Sequence, residues 1–205
     1  LCQMASERNL HSDPERPDSL VLPYGLEYQG AEVLPSSAEY PYLRIRLSDG
    51  RVVSTNLVGS YNADNVMAAL AVGQYFGVSL EDGVAAIEAY VPSNNRSQLK
   101  RTEKNTLVID AYNANPTSMA AALDNFALME TPHKMCILGD MKELGESSQE
   151  EHAKILGKII ESNFEQVWLV GEEFQKAVCT FSSAPENITT FTDVNAVIAR
   201  IKEQE

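Results

Sequence analysis

The chain has 205 residues, enough for one large domain or two small ones with a real core. Hydrophobic residues make up 44% and charged residues 22%, the profile of a globular protein and not of a disordered or fibrous chain. Sixteen Lys and Arg stand against 29 Asp and Glu, a formal charge of -13. That balance argues against nucleic acid or an anionic membrane as partner, and leaves any anionic ligand to local cations, backbone N–H groups or a metal ion.

Residues 1–20 are polar and proline-dotted (SDPERPDS) and read as a loop or an entry strand. From about 21 to 58, the β-prone runs LVLPYGLEY, YPYLRIRLS and RVVSTNLVG alternate with turn residues, and Ser48-Asp49-Gly50-Arg51 signals a hairpin between the last two. The period then changes: Val66, Ala69, Leu70, Gly73 and Phe76 share one face of a helix that ends at Gly77. A second helix follows, with Ser79 and Asp82 as a capping pair and Leu80, Val84, Ile87 and Val91 as its apolar stripe. Pro92-Ser93-Asn94-Asn95 closes this unit, which predicts one domain over 1–91 and another over 92–205.

Beyond that linker, strand and helix alternate. TLVIDAY precedes a helix from Pro116, KMCILGDM one from about Ser148, QVWLVG one over 172–179, and ITTFTD one over 194–202. Continuous apolar strands separated by helices predict an α/β domain, a doubly wound and mostly parallel sheet with right-handed crossovers. In such sheets ligands bind beyond the carboxyl ends of the strands.

Cys2, Cys136 and Cys179 show no paired spacing, and the odd count fits reduced thiols in a cytoplasmic protein. Cys136, within MCIL, reads as a small buried hydrophobe. No apolar stretch approaches the ~20 residues that span a bilayer, and LCQMASERNL has no signal-peptide core. The missing Met at position 1 and the ending NAVIARIKEQE are read as truncation at both ends. A monomer is expected. His11, His133 and His152 form no metal spacing, and no metal site is expected in the chain itself.

Four segments carry candidate chemistry. Asp110-Ala111-Tyr112-Asn113-Ala114-Asn115-Pro116 places an acid and two amides at a strand end; Asn115 suits a helix cap and Pro116 the first helical position. Asp110 has no such local role, and is placed to accept hydrogen bonds from ribose hydroxyls or to orient a cationic or metal-bound group. Leu138-Gly139-Asp140-Met141-Lys142-Glu143-Leu144-Gly145 is a second strand end, whose glycines either let the loop lie close to a ligand or a neighbouring domain or simply close a tight turn with solvated acids. Gly59-Ser60-Tyr61-Asn62-Ala63-Asp64-Asn65 sets two amides on one side of a helix start, able to cap the helix or to read a base edge or a phosphate oxygen. Arg96, in the linker, could clamp phosphate with its planar guanidinium. No G-x-x-x-x-G-K-[ST] phosphate loop occurs, so the chain alone cannot cradle ATP.

Together DAYNANPTSM, LGDMKELG and GSYNADNVMAAL closely resemble the Mur ligase family, over about residues 20–205. Within it, the AYNANP and LGDM-x-ELG pair looks like the branch that adds D-alanyl-D-alanine to UDP-N-acetylmuramoyl-tripeptide in peptidoglycan synthesis. Related ligases with another amino-acid substrate, folylpolyglutamate-type enzymes included, and a non-catalytic binding domain are the alternatives. The resemblance implies the latter part of a central ATP-binding domain followed by most of a C-terminal ligase domain. The UDP-sugar domain and phosphate-loop half would precede Leu1, and a last strand would follow Glu205. It also implies ATP and Mg²⁺ as cofactors, and a carboxylate activated as an acyl phosphate before the amine attacks, with domain closure assembling the site. By position, Asn62 and Asn65 would meet adenine, Arg96 the phosphates and Asp110 the ribose, with Arg96 and Asp110 the catalytic pair. Asn113, Asn115, Asp140 and Met141 would bind the incoming dipeptide. Two positions depart from the family pattern: Tyr61 stands where His is usual, and Asn94-Asn95 where a glycine is common before Arg96.

Overall fold

The computed structural model describes residues 22–37, 40–93, 95–181 and 185–203, and the chain divides into two compact units, Leu1–Ile109 and Asp110–Glu205. The polar stretch 1–20, with Cys2 and His11, and Asn94 of the linker lie outside the described residues.

In the first unit β1 (Glu32–Leu34), β2 (Tyr42–Arg46) and β3 (Val52–Val58) form an antiparallel sheet in that order. The β2–β3 hairpin turns at the expected place: Leu47 N–H donates to the Arg51 carbonyl at 2.8 Å, and Gly50 takes a φ of 87°. Alternation of apolar residues sends Leu43, Ile45 and Val53 inward, where they meet Val66, Met67 and Leu70 of α2 (Ala63–Tyr75). Packed on the same core is α3 (Leu80–Ala89), capped as expected by Ser79, whose Oγ accepts from Asp82 N–H at 3.0 Å.

Three details differ from the expected pattern. Within LVLPYGLEY, Leu26–Gln29 closes into a helical turn, α1, because Gly25 (φ 125°) and Gly30 (φ 62°) bend the chain on either side of it. The buried face of α2 is Ala63, Val66, Met67, Leu70 and Ala71, leaving Ala69 exposed and Phe76 beyond the last turn. Val91 is likewise exposed, since α3 stops at Ala89.

After the linker, β4 (Gln98–Arg101) and β5 (Thr106–Ile109) pair antiparallel. A tight turn makes that hairpin: Thr102 N–H donates to the Asn105 carbonyl at 2.8 Å, and Asn105 N–H returns to Thr102 Oγ1 at 2.9 Å. The run TLVI was expected to open the parallel sheet; instead its described ladder is this local pairing.

The second unit is the α/β domain that the alternation predicted. β6 (Met135–Gly139), β7 (Gln166–Val170) and β8 (Ile188–Phe191) are parallel and adjacent in that order. The helices are α4 (Pro116–Leu128), α5 (Ser148–Glu161), α6 (Glu172–Thr180) and α7 (Val194–Lys202). Val167 and Leu169 face a core shared with Leu123, Cys136, Ile155, Leu156, Ile159, Phe164 and Phe174. Trp168, one residue out of phase, turns to the opposite face and packs against the Phe191 ring at 4.9 Å. Burial of a side chain as large as Trp168 or Phe174 stabilises the unit by ~1.5–3 kcal/mol each. Among the described residues no helix is long and apolar enough to cross a membrane.

Candidate functional site

In the first unit the candidates gather around one hydroxyl. β3 ends at Val58, and Gly59 turns the chain at φ 100°; a β-carbon there would overlap the Tyr61 ring. The turn delivers Asn62, 8% exposed, whose Nδ2 donates to the Val58 carbonyl and to Ser97 Oγ, both at 2.9 Å. Asn62 occupies the N-cap position of α2 but makes no side-chain cap bond; its amide joins the strand end to the linker. Asn65, exposed and one turn on, lies 3.4 Å by its Nδ2 from Asn62 Oδ1, so the structure brings the two amides together.

Tyr61 Oη sits 3.1 Å from Ser97 Oγ, and Val58 N–H donates to the Ser97 carbonyl at 3.0 Å. Ser97 is thus the hub that ties the segment carrying Arg96 to the asparagines. Arg96 itself is exposed, between Asn95 at φ 56° and Ser97 at φ 49°. Asn tolerates the left-handed region better than most residues, which accounts for an asparagine where the family favours glycine. Sequence reasoning missed Ser97, because nothing local marks a serine that is buried by partners 35 and 36 residues away.

In the second unit Asp110, Tyr112 and Asn113 are exposed on the segment leading into α4. Asn115 caps that helix, its Oδ1 accepting from Ser118 N–H at 3.0 Å, with Pro116 at the first helical position as expected. At the carboxyl edge of β6, Asp140 N–H continues the ladder to the Val170 carbonyl at 3.0 Å. Its carboxylate, 4% exposed, accepts from Glu173 N–H at 3.1 Å and Phe174 N–H at 3.0 Å. Asp140 therefore fills the positive end of α6 with an internal anion. Gly171, at φ 120°, leaves the space for it: a β-carbon there would overlap the carboxylate. Lys142 Nζ and His152 Nε2 each lie 3.8 Å from an Asp140 oxygen. Close by, Lys176 and then the Ser148 hydroxyl hold the Glu173 carboxyl below the ordinary glutamate range.

Met141 goes into the core at 2% exposure, its N–H donating to His152 Nε2 at 3.0 Å. Asp140 and Met141 are thus engaged inward, and the same loop turns Lys142 and Glu143 to solvent, Glu143 at φ 63°. His152, 0% exposed on α5, escaped the sequence reading because a single histidine on an apolar helix face shows no spacing to another ligand. Among the described residues no group of three or more His, Cys, Asp or Glu could hold a metal ion.

A parallel sheet flanked by helices, with a polar loop beyond its carboxyl edge, defines the second unit as an α/β domain, the class in which that edge is the usual place for a ligand. The chain belongs to the Mur ligase family: the family model described as Mur ligase, glutamate ligase domain, matches residues 95–205, more than half of its length. Over 145 residues it is 34% identical to the UDP-N-acetylmuramoyl-tripeptide–D-alanyl-D-alanine ligase of Treponema pallidum, covering 71% of this chain and 31% of that protein. The Bacillus subtilis ligase of the same name is 36% identical over 118 residues, 57% of this chain and 26% of that one. Among solved structures, MurF from Acinetobacter baumannii superposes with a TM-score of 0.72 at 26% identity, over 85% of this chain and 39% of the other. These relatives belong to the branch that the AYNANP and LGDM-x-ELG segments resemble. The chain spans less than a third of the length of these two curated ligases.

Proposed function

We propose that this chain works within an ATP-dependent ligase that joins D-alanyl-D-alanine to UDP-N-acetylmuramoyl-tripeptide through an acyl phosphate, in cytoplasmic peptidoglycan synthesis. The observation that carries the reading is the 34% identity to the Treponema pallidum ligase over 71% of this chain. Domains over 1–91 and 92–205 and a monomeric enzyme remain part of it.

Asn65 is proposed to meet the adenine region, with the buried Asn62 serving it as the anchor 3.4 Å away, and Arg96 the phosphates; an exposed amide and an exposed guanidinium suit that chemistry. Asp110 is proposed at the ribose. Asn113 and Asn115 serve the incoming dipeptide from the start of α4, and Asp140 and Met141 serve it by anchoring the loop that carries Lys142 and Glu143. When bound, ATP supplies the phosphoryl group that activates the carboxylate. The described residues offer no cluster for Mg²⁺, so no step is assigned to a metal held by this chain.

The test is phosphate release from ATP with both substrates present, the phosphate-binding portion of the ligase being supplied in one reading frame or in trans. Ligation is expected to depend on D-alanyl-D-alanine and to be abolished by Asp110→Ala. No release with this dipeptide, or an unaffected Asp110→Ala variant, overturns the substrate assignment or the role of Asp110 respectively.

A further inference from the structure

Among the described residues of the second unit, the polar side chain most completely enclosed is the His152 ring, at 0% exposure and with a partner at each nitrogen. Nδ1 lies 2.7 Å from the Ser148 carbonyl oxygen, which can only accept, so Nδ1 carries the proton. Nε2 is then the lone pair that receives Met141 N–H at 3.0 Å. The ring cannot turn over without losing both bonds, and the edge-on Phe174 ring at 4.7 Å holds its plane. One residue before Met141, the Asp140 carboxylate, with an oxygen 3.8 Å from Nε2, is pinned to the start of α6. Two consecutive residues of the loop are thereby fixed, one by its side chain and one by its backbone. The next two, Lys142 and Glu143, are exposed, the Lys142 side chain to 79%.

We propose that His152 is a positioning residue: by holding the Met141 backbone from inside the core, it sets where the loop presents Lys142 and Glu143 to the incoming dipeptide. The substrate half of this inference rests on the function proposed above. A zwitterionic dipeptide carries a carboxylate that an ammonium can pair with, and Lys142 is the cation of this loop. Its ion pair with Asp140 Oδ2, at 3.8 Å, keeps it beside the anchored part of the loop.

Two measurements test the proposal. The first is hydrogen exchange of peptides covering 140–147 in the full chain, with Trp168 fluorescence confirming that the variants are folded. His152→Leu removes the acceptor for Met141 N–H and should speed exchange of this loop about tenfold, while β7 stays protected. His152→Gln puts an amide oxygen near the position of Nε2 and should restore protection. Unchanged exchange in His152→Leu, or no recovery in His152→Gln, overturns the anchoring.

The second is the ligation assay. His152→Leu should raise KM for D-alanyl-D-alanine about tenfold and shift KM for ATP less than about twofold, with His152→Gln again the rescue. A loosened loop with an unaltered dipeptide KM overturns the positioning role. Absence of dipeptide-dependent turnover in the unsubstituted enzyme overturns the substrate reading, and is told apart because the exchange result stands without it.

Discussion

The Asp140–Gly171 pair can be tested by a double-mutant cycle whose outcome depends on whether the carboxylate is a helix cap. In Asp140→Ala two hydrogen bonds from backbone N–H groups to a 4% exposed carboxylate are lost. Bonds to a charged acceptor contribute ~1.5–3 kcal/mol each, but desolvation of the charge is relieved as well, so ~2–3 kcal/mol is the expected total. Gly171→Ala meets two obstacles, a φ of 120° open essentially to glycine and an overlap with the Asp140 carboxylate. Strain of ~1–2 kcal/mol adds to the displaced cap, giving ~4 kcal/mol. Once Asp140 is already Ala the overlap is gone and Gly171→Ala should cost only the strain. The double variant should therefore be ~2 kcal/mol less destabilised than the sum of the single ones. Urea unfolding read by Trp168, the one tryptophan of the sequence and 1% exposed, reports on this unit alone. Additivity within ~0.5 kcal/mol would refute the cap, since independent sites behave that way. A residue held chiefly for substrate would instead lose binding with little loss of stability.

Burial pushes the Cys136 thiol up to about 12 from an ordinary value of 9.0. In the folded chain Cys136 should resist alkylation at pH 8 while exposed Cys179 reacts, as peptide mass mapping would read; labelling of Cys136 without unfolding contradicts the burial. The thiol's contribution to stability is complete below pH 9, where both states keep the proton. As pH rises from 9 towards 12 the unfolded thiol ionises first, and stability should fall by up to ~1.4 kcal/mol per unit, a slope that Cys136→Ala removes in urea titrations. Asn62→Ala leaves the Val58 carbonyl and the Ser97 hydroxyl without their amide donor and should destabilise the first unit by ~1–3 kcal/mol in thermal unfolding. Asn65→Ala, at an exposed position, should stay within ~0.5 kcal/mol; equal losses at the two sites would mean that burial does not separate their roles.

Much of this architecture is written locally. Ser79 and Asp82, Asn115 and Pro116, and the Ser48–Arg51 turn each declare an element boundary through side chains within a few residues, and the structure has all three. Strand partnership is different. TLVI has the composition of a buried parallel strand, yet the Thr102–Asn105 turn folds it back on Gln98–Arg101, a polar stretch with no apolar run to draw the eye. The helical turn in LVLPYGLEY was hidden for a related reason: β-prone side chains lose to two glycines that bend the backbone at positive φ.

The candidate site was legible as a set of segments and less so as a set of roles. A carboxylate at the carboxyl edge of a parallel strand marks a place where ligands bind, but the same edge presents the N-termini of the following helices, which attract an anion just as strongly. In this fold the nearest anion is Asp140 itself, and α6 takes it. The side chains that the interior does not claim are the neighbours Lys142 and Glu143, which this loop leaves exposed. Asn62 follows the same logic in the first unit, its amide taken up by Val58 and Ser97 while Asn65 stays exposed. At both edges the residue that makes the motif conspicuous is an anchor, and the exposed side chains lie one to three positions further along the chain.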